Sequence, residues 1–170
     1  MSKKILLFLY YLIFSKLPSS YFPGGSFFNF LRVKTLKSII KIGDNIKVQP
    51  KVYIGNGNDI EIGDHCQINE NVKLDNVKID EYVMIAPGVT ILGKMHDFVD
   101  LNIPMLLQGE KQVKSTIISR DVWIGTNAII MPGIHIGQGC IIGAGAVITK
   151  DCEEYGIYGG IPAKLIGKRK

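Results

Sequence analysis

Long apolar runs and paired cysteines are both scarce in this chain of 170 residues. The apolar run from Ile5 to Phe14 is too short to span a bilayer as a helix, and no small-x-small cleavage site of a signal peptide follows it. The three cysteines have no spacing typical of a disulfide framework or a zinc site. These absences argue against a membrane-spanning protein and a disulfide-rich secreted domain, and they favour the reducing cytoplasm.

Sequence patterns of nucleic-acid-binding proteins are also missing. The chain has no helix-turn-helix, zinc-finger or aromatic RNA-binding motif, so its net charge of +5 is not interpreted as a nucleic-acid footprint. The Gly137-Gln138-Gly139 sequence lacks the third glycine and the strand-to-helix context of a dinucleotide-binding turn. We interpret it as a tight corner.

A period of six residues dominates the last third of the chain. Six isoleucines recur at intervals of six residues, and an aliphatic or small residue stands four places after each of the first five. This period fits neither an α-helix nor an ordinary strand, but it is typical of a β-helix built from hexapeptide repeats. The isoleucines are Ile118, Ile124, Ile130, Ile136, Ile142 and Ile148.

The same period recurs upstream with shifted phase and then lapses between Ile91 and Ile118. The upstream positions and the downstream series together predict about five coils, with neighbouring coils about 4.8 Å apart. Cys66 and Cys140 are expected at small inward positions, as buried hydrophobic side chains. The upstream positions are Ile42, Val48 and Ile54, then Ile62, Ile68 and Leu74, then Ile79, Ile85 and Ile91.

The sequence therefore predicts an all-β fold, a left-handed parallel β-helix of hexapeptide repeats. We expect three parts: an N-terminal helical and apolar segment over 1–41, the β-helix over 42–154 and a basic tail over 155–170. A loop at about 93–116 is expected to protrude from the coil, where the period lapses.

The N-terminal segment has two interpretations. Ile5–Phe14 and the stretch Phe27–Ile40, which is amphipathic at helical spacing, could form two helices that cap the first coil, because solenoids need caps. Alternatively, with Lys3 and Lys4, the segment could insert shallowly into the cytoplasmic face of the membrane.

The lapse in the repeat is where chemistry is expected. A long loop on a rigid scaffold is usually functional, and His96 lies at its root. Histidine is the natural general base near neutral pH. His65 and His135 fall at outward positions within repeats, and the three histidines lack the close pair of a zinc-dependent carbonic anhydrase on such a fold.

Four motifs stand out: Ile85-Ala86-Pro87-Gly88-Val89-Thr90 followed by His96, Asp121-Val122-Trp123-Ile124-Gly125, the stretch from Ile142 to Asp151, and Gly159-Gly160-Ile161-Pro162-Ala163-Lys164. They resemble the hexapeptide-repeat acetyltransferases of the maltose, galactoside and serine acetyltransferase group. The resemblance implies acetyl-CoA as donor, a homotrimer with clefts between neighbouring coils, no metal, and His96 as the catalytic base. The N-terminal segment is most similar to members that modify surface polysaccharides.

The same resemblance implies roles for individual residues. Asn69 matches an active-site polar residue once a gap is allowed before Ile79, and Trp123 matches the tryptophan at the acetyl end of the coenzyme. Thr126 and Ala144 match positions along the pantetheine arm, while the small Gly125 and Gly143 permit its close approach. Thr149, Lys150 and Lys164 match contacts nearer the nucleotide. Lys164 replaces the family's arginine, which turns a bidentate phosphate grip into a point charge, and Lys168 could compensate.

The predicted function is O-acetylation of a sugar hydroxyl by acetyl-CoA, in capsule, O-antigen or exopolysaccharide biosynthesis. The alternative within enzymes is N-acetylation of an amino-sugar nucleotide or an antibiotic. A purely structural or binding β-helix is the alternative outside enzymes, since a fold does not fix function. It would not require His96 on a loop, Trp123 and the basic tail together.

Overall fold

The computed structural model describes residues 2–170, most of which wind into a triangular parallel β-helix. Each side of the triangle is a sheet to which successive coils add one short strand. The first sheet contains β1 Lys41–Ile42, β3 Ile60–Ile62, β5 Val77–Ile79, β10 Thr116–Ile118 and β13 His135–Ile136. The third sheet contains β7 Thr90–Ile91, β12 Ile129–Ile130 and β15 Val147–Ile148, and the second sheet, between these two, is the longest.

The second sheet runs the full length of the coil and ends with the C-terminal segment. Its final strand, β17, is antiparallel to β16, so the chain folds back over the last coil. The sheet contains β2 Lys47–Val48, β4 Gln67–Ile68, β6 Met84–Ile85, β11 Trp123–Ile124, β14 Ile141–Ile142, β16 Gly156–Gly159 and β17 Lys164–Lys168.

The residues of the six-residue period are stacked in register. In the second sheet Ile68 pairs with Ile85, Ile85 with Ile124, and Ile124 with Ile142, and all four are buried. Burial of such a side chain is worth roughly 1.5–3 kcal/mol. The predicted fold class is confirmed: the chain is a parallel β-helix of hexapeptide repeats with an N-terminal helical segment.

Residues with an unusual backbone conformation lie at the corners of the coil, where one sheet is joined to the next. The first corner joins the first sheet to the second, the second corner joins the second to the third, and the third corner leads to the next coil. Asn45, His65 and Tyr82 have positive φ at successive first corners. His65 also stacks on the Tyr82 ring, 4.8 Å between centroids. His65 is thus a corner residue.

The N-terminal segment forms two helices, α1 Lys3–Leu12 and α2 Gly25–Lys37, with a 3-10 turn at Phe14–Lys16 between them. The buried Tyr10 hydroxyl donates to the Val52 carbonyl at 2.9 Å. The fully buried Arg32 guanidinium donates to four carbonyls, including that of Val48 at 2.6 Å. Both helices therefore cover the first coil. Among residues 2–170, no helix is long and apolar enough to cross a membrane.

The lapse in the period corresponds to an excursion from the third corner between β7 and β10. It contains a short antiparallel hairpin of β8 Met95–His96 and β9 Glu110–Lys111, with the helix α3 Met105–Gln108 at its far end. The coils on either side of it pair directly, Ile91 with Ile130. The excursion is thus an insertion that does not interrupt the stack.

Candidate active site

The excursion presents His96 to solvent on a hairpin. His96 lies directly opposite Glu110, and the Lys94 ammonium holds both Glu110 carboxylate oxygens at 3.1 and 3.0 Å. The Asp97 N–H donates to the Gly109 carbonyl at 3.0 Å and continues the ladder. In the described part of the chain, the His96 side chain is exposed and has no hydrogen-bond partner. Its imidazole is available to accept a proton from a substrate.

A polar cleft lies beneath this hairpin at the third corner. Its volume is about 300 Å³. The Asn76 carboxamide accepts a hydrogen bond from the Ser115 hydroxyl at 2.6 Å, which fixes one wall. Amides and carboxylates of this kind suit a polyhydroxylated ligand, because they donate and accept hydrogen bonds. The lining includes Asn56, Asn58, Asp59, Asp75, Asn76, Gly93, Lys94 and Glu110.

Most residues predicted to contact the coenzyme meet at the second corner. Trp123 points outward from β11 and is 49% exposed, and the exposed Thr126 and Ala144 follow on consecutive coils. A Cβ at Gly125 would lie 2.6 Å from the Ala144 nitrogen, and one at Gly143 would lie 3.2 Å from the Tyr158 carbonyl oxygen. The coils therefore approach each other closely here, and an extended ligand can reach their backbone.

The remaining coenzyme candidates divide between two corners. Lys164 begins β17 opposite Gly159, so it lies beside the second corner at the last coil. Thr149 and Lys150 follow β15 and lie exposed at the third corner, one face away from Trp123. Lys164 therefore lies near the other coenzyme candidates at the second corner, whereas Thr149 and Lys150 do not.

The C-terminal cations are engaged by carboxylates. The Lys168 ammonium lies 3.5 Å from Glu153, and the Arg169 guanidinium lies 2.9 Å from Asp121. Arg169 also donates to the Gly139 carbonyl at 3.1 Å. Both carboxylates belong to first corners, away from Lys164, so Lys168 is not positioned to compensate for the lysine that replaces the family's arginine at position 164.

Asn69 and His96 are not brought together within one chain. Asn69 lies at the second corner, where its amide donates to the Ile85 carbonyl at 2.8 Å. His96 lies on the hairpin of the third corner, and β7 separates the two corners. Asn69 therefore shares the corner of Trp123 and Thr126, while the predicted base lies at another.

The ion pair between Lys94 and Glu110 and the polar cleft were not predicted from the sequence. Lys94 and Glu110 are sixteen positions apart, and no period links them because the repeat has lapsed there. The cleft combines residues from three successive visits to the third corner. Of this lining, only the short corner Asn56-Gly57-Asn58-Asp59 could be recognised in the sequence, because its composition is typical of a loop.

The buried cysteines of the coil are structural. Burial raises the pKa of the Cys66 thiol to about 11 and that of Cys152 to about 12. The Cys66 thiol donates to the Asp80 carbonyl at 3.0 Å. Among residues 2–170, no group of three or more histidine, cysteine, aspartate or glutamate side chains could hold a metal ion.

Comparison with known proteins matches these features to one family. The model of the bacterial transferase hexapeptide family, described by six repeats, matches residues 59–93 and 115–150, on either side of the His96 excursion. The galactoside O-acetyltransferase of Escherichia coli K12 is 33% identical over 142 residues, which is 79% of this chain and 68% of that protein. A chloramphenicol acetyltransferase of Escherichia coli is 59% identical over 112 residues, 56% of this chain and 53% of that protein.

Solved structures agree over nearly the whole chain. A hexapeptide-repeat acetyltransferase from Vibrio cholerae O1 biovar eltor, complexed with acetyl coenzyme A, superposes with a TM-score of 0.83. That match has 25% identity and covers 99% of this chain and 87% of the other. The N-terminal helices are thus included in the structural likeness. The chain belongs to the bacterial hexapeptide-repeat transferase family and is an acetyltransferase of that family.

Proposed function

We propose that this protein transfers the acetyl group of acetyl-CoA to a hydroxyl of a sugar, with His96 as the general base. The observation that supports it most is that the His96 imidazole, among the described residues, is exposed and has no hydrogen-bond partner, on a hairpin whose two strands are joined by the Lys94–Glu110 ion pair. The galactoside O-acetyltransferase relative, aligned with 79% of the chain, supports the same reaction class. The polar cleft beneath the hairpin suits a polyhydroxylated acceptor.

The proposed reaction is direct transfer in a ternary complex. The His96 imidazole accepts the proton of the acceptor hydroxyl as that oxygen attacks the thioester carbonyl. A C–O bond forms, the C–S bond breaks, and the imidazolium returns its proton to the departing coenzyme sulfur. Holding both substrates in one cleft supplies much of the acceleration, and a backbone N–H or the second N–H of the Asn69 amide can stabilise the developing negative charge.

The proposed coenzyme site is the second corner. Trp123 would cover the acetyl end, and Gly125, Thr126, Gly143 and Ala144 would flank the pantetheine arm. Lys164, beside the last coil, would attract the coenzyme phosphates. Thr149 and Lys150 would contact only the nucleotide end of the coenzyme, since they lie one face away.

We propose that the functional unit is a homotrimer. His96 and the coenzyme corner lie on different edges of one chain, so the hairpin of one chain would meet the second corner of its neighbour. Ring closure by three identical heterologous contacts produces three equivalent clefts. Asn69 at the second corner would then face the neighbour's His96.

The proposed acceptor is a sugar unit of a capsule, O-antigen or exopolysaccharide, modified at the cytoplasmic stage of its synthesis. The resemblance of the N-terminal segment supports this choice. A second candidate is N-acetylation of an amino-sugar nucleotide or acetylation of an antibiotic. The match to chloramphenicol acetyltransferase, 59% identical over 112 residues, favours the antibiotic.

The test is release of free CoA from acetyl-CoA by purified protein in the presence of a panel of acceptors. The panel contains galactosides, nucleotide sugars with and without an amino group, and chloramphenicol. We expect turnover with a sugar hydroxyl, and a loss of roughly 10²–10⁴-fold in His96→Ala with little change in acetyl-CoA affinity. His135→Ala, an outward histidine of the first sheet, is the matched control.

Near-wild-type turnover in His96→Ala would exclude this residue as the base. Turnover restricted to amines or to chloramphenicol would reject the sugar hydroxyl and leave the acetyltransferase assignment in place.

A further inference from the structure

The charge of the chain is divided unevenly between its two ends. The first 43 residues contain seven of the 20 lysines and arginines and none of the 15 acidic residues. The segment therefore has a formal charge of +7, while residues 44–170 have a charge of −2. Arg32 is buried and Lys3 is bound to the Gly57 carbonyl and the Asn58 side chain. Lys37 and Lys41 pair with Asp44 and Glu61. In the described part of the chain, Lys4, Lys16 and Lys34 are therefore the cations of this segment that lie in no ion pair.

Helix α1 has an apolar face that no part of the described chain covers. Ile5, Phe8 and Leu12 recur at the spacing of one helical face and are 50%, 64% and 51% exposed. The opposite face bears Tyr10, which is fully buried against the first coil. The exposed face therefore points away from the β-helix.

Helix α2 repeats this arrangement with aromatic and basic residues. Phe27 and Phe30 are 60% and 56% exposed, and Lys34 and Lys37 follow them on the same face. The Lys34 ammonium lies 5.6 Å from the centre of the Phe30 ring. The opposite face bears the buried Arg32, so this aromatic and basic face also points away from the coil.

A shallow apolar groove joins the two exposed faces. It lies between the helices and is lined mainly by Leu6, Leu9 and Phe14 from the first helix and turn and by Leu31 and Lys34 from α2. On each helix, the groove residues are neighbours of the exposed residues along the surface. Ile5, Phe8, Leu12, Phe27 and Phe30 with this groove thus form one surface, called here the helical patch, with Lys4 and Lys34 at its rim.

We infer that the helical patch docks onto the surface of a membrane that contains anionic phospholipid. Helices that lie in the membrane interface combine an apolar face with flanking lysines, which attract anionic headgroups. No carboxylate precedes Asp44 in the sequence, and Asp44 is neutralised by its ion pair with Lys37, so little repulsion from anionic headgroups is expected. Neither helix is long enough to cross the bilayer, so they would lie in its plane with the β-helix above them.

This inference goes beyond the proposed function. If the acceptor is a lipid-linked glycan, docking would bring the enzyme to its substrate, and that consequence alone rests on the proposed function. The binding itself depends only on the patch.

The test is co-sedimentation of the full-length protein with vesicles of phosphatidylcholine containing 30% phosphatidylglycerol by design, or none. We expect binding to the anionic vesicles and release at high salt. Phe8→Asp with Phe30→Asp, and separately Lys4→Glu with Lys34→Glu, should each weaken binding by about tenfold or more. Leu106→Asp is the matched control, because Leu106 is 84% exposed on α3, away from the patch.

Three outcomes would overturn the inference: no binding to anionic vesicles, equal binding by the patch variants, or equal loss in Leu106→Asp. If the wild-type protein does not bind vesicles, and light scattering shows that the double variant Phe8→Asp with Phe30→Asp dissociates an oligomer, the patch is instead a contact between copies. CoA release with a soluble acceptor, measured on the same samples, separates failure of docking from failure of the proposed reaction. Circular dichroism confirms that each variant is folded.

Discussion

Arg32 shows how a single residue secures the cap. Its buried guanidinium donates to the carbonyls of Phe14, Leu17, Pro18 and Val48, which ties the turn after α1 to the first coil. Burial lowers the pKa of Arg32, but its ordinary value is so high that it stays charged at neutral pH. The sequence did not single this residue out, because an arginine at helical spacing ordinarily lies in solvent.

Replacing Arg32 is expected to destabilise the protein strongly. Arg32→Met should lower the free energy of unfolding by about 3 kcal/mol, because it leaves buried carbonyls without donors. Arg32→Lys should rescue little, since an ammonium cannot reach the same four acceptors. Urea unfolding measures the effect, and Lys34→Met on the exposed face should stay within about 0.5 kcal/mol of wild type. A small effect of Arg32→Met would show that the cap is held mainly by apolar packing.

The buried cysteines predict a decline of stability at alkaline pH. Burial holds the pKa of Cys66 at about 11, above its ordinary value of 9.0. The unfolded thiol therefore ionises first, and the contribution of Cys66 to stability, complete below pH 9, should be lost as pH rises through 11. Urea unfolding at pH 8 and pH 10 measures the decline. It should be smaller in Cys66→Ala, and an equal decline there would assign it to other groups.

At the scale of elements, the coils could be predicted because each strand repeats one inward aliphatic residue. Ile118, Ile124 and Ile130 identify three faces of one coil from their spacing alone. The hairpin at Met95–His96 could not be predicted in the same way, since its two-residue strands face solvent and have no apolar alternation. Helix α2 begins at Gly25, two residues before the predicted stretch, because Gly24 in a left-handed conformation sets its start.

The outer part of the excursion, residues 97–109, should be removable without loss of the β-helix. Because His96 lies directly opposite Glu110, replacing residues 97–109 by an asparagine-glycine turn closes the hairpin with a two-residue loop. We expect an almost unchanged melting temperature and retained acetyl-CoA binding, since Ile91 and Ile130 pair without the excursion. Turnover with the acceptor should fall by at least about tenfold, as contacts that position the acceptor are lost.

Calorimetry, coenzyme titration and CoA release check these three outcomes. An unfolded variant would show that the excursion stabilises the coil. Unchanged turnover would show that residues 97–109 do not contact the acceptor.

At the scale of the whole molecule, the position of a residue within its repeat could be predicted from the sequence, but not the corner at which it lies. Position within a repeat predicts whether a side chain points inward, so His65 and His135 were correctly expected to point outward, and both are exposed. Which corner a residue occupies also depends on the irregular steps between Ile54 and Ile62 and between Leu74 and Ile79. The separation of His96 from Asn69 therefore became visible only in the structure.

This separation leads to a test of sharing between chains. Ala144→Arg would block the exposed coenzyme corner, and His96→Ala would remove the base, so each variant alone should be nearly inactive. If each site combines the base of one chain with the corner of the next, mixed trimers contain some sites with both wild-type residues. Random mixing in equal amounts gives about one quarter of such sites, because each of two neighbouring chains must be of the required type.

The measurement is CoA release after the two variants are co-expressed with different affinity tags and the mixed assemblies are isolated. Light scattering should show a mass of three times the 18.8 kDa chain. Isolation removes the homotrimers, and each mixed trimer then has one such site in three. Recovery of roughly a third of wild-type turnover would therefore support shared sites. Mixed trimers that stay as inactive as either parent would place base and coenzyme in the same chain. Activity in a monomer would contradict both the trimer and the shared cleft. A single chain would then carry out the reaction although its His96 and its coenzyme corner lie on different edges.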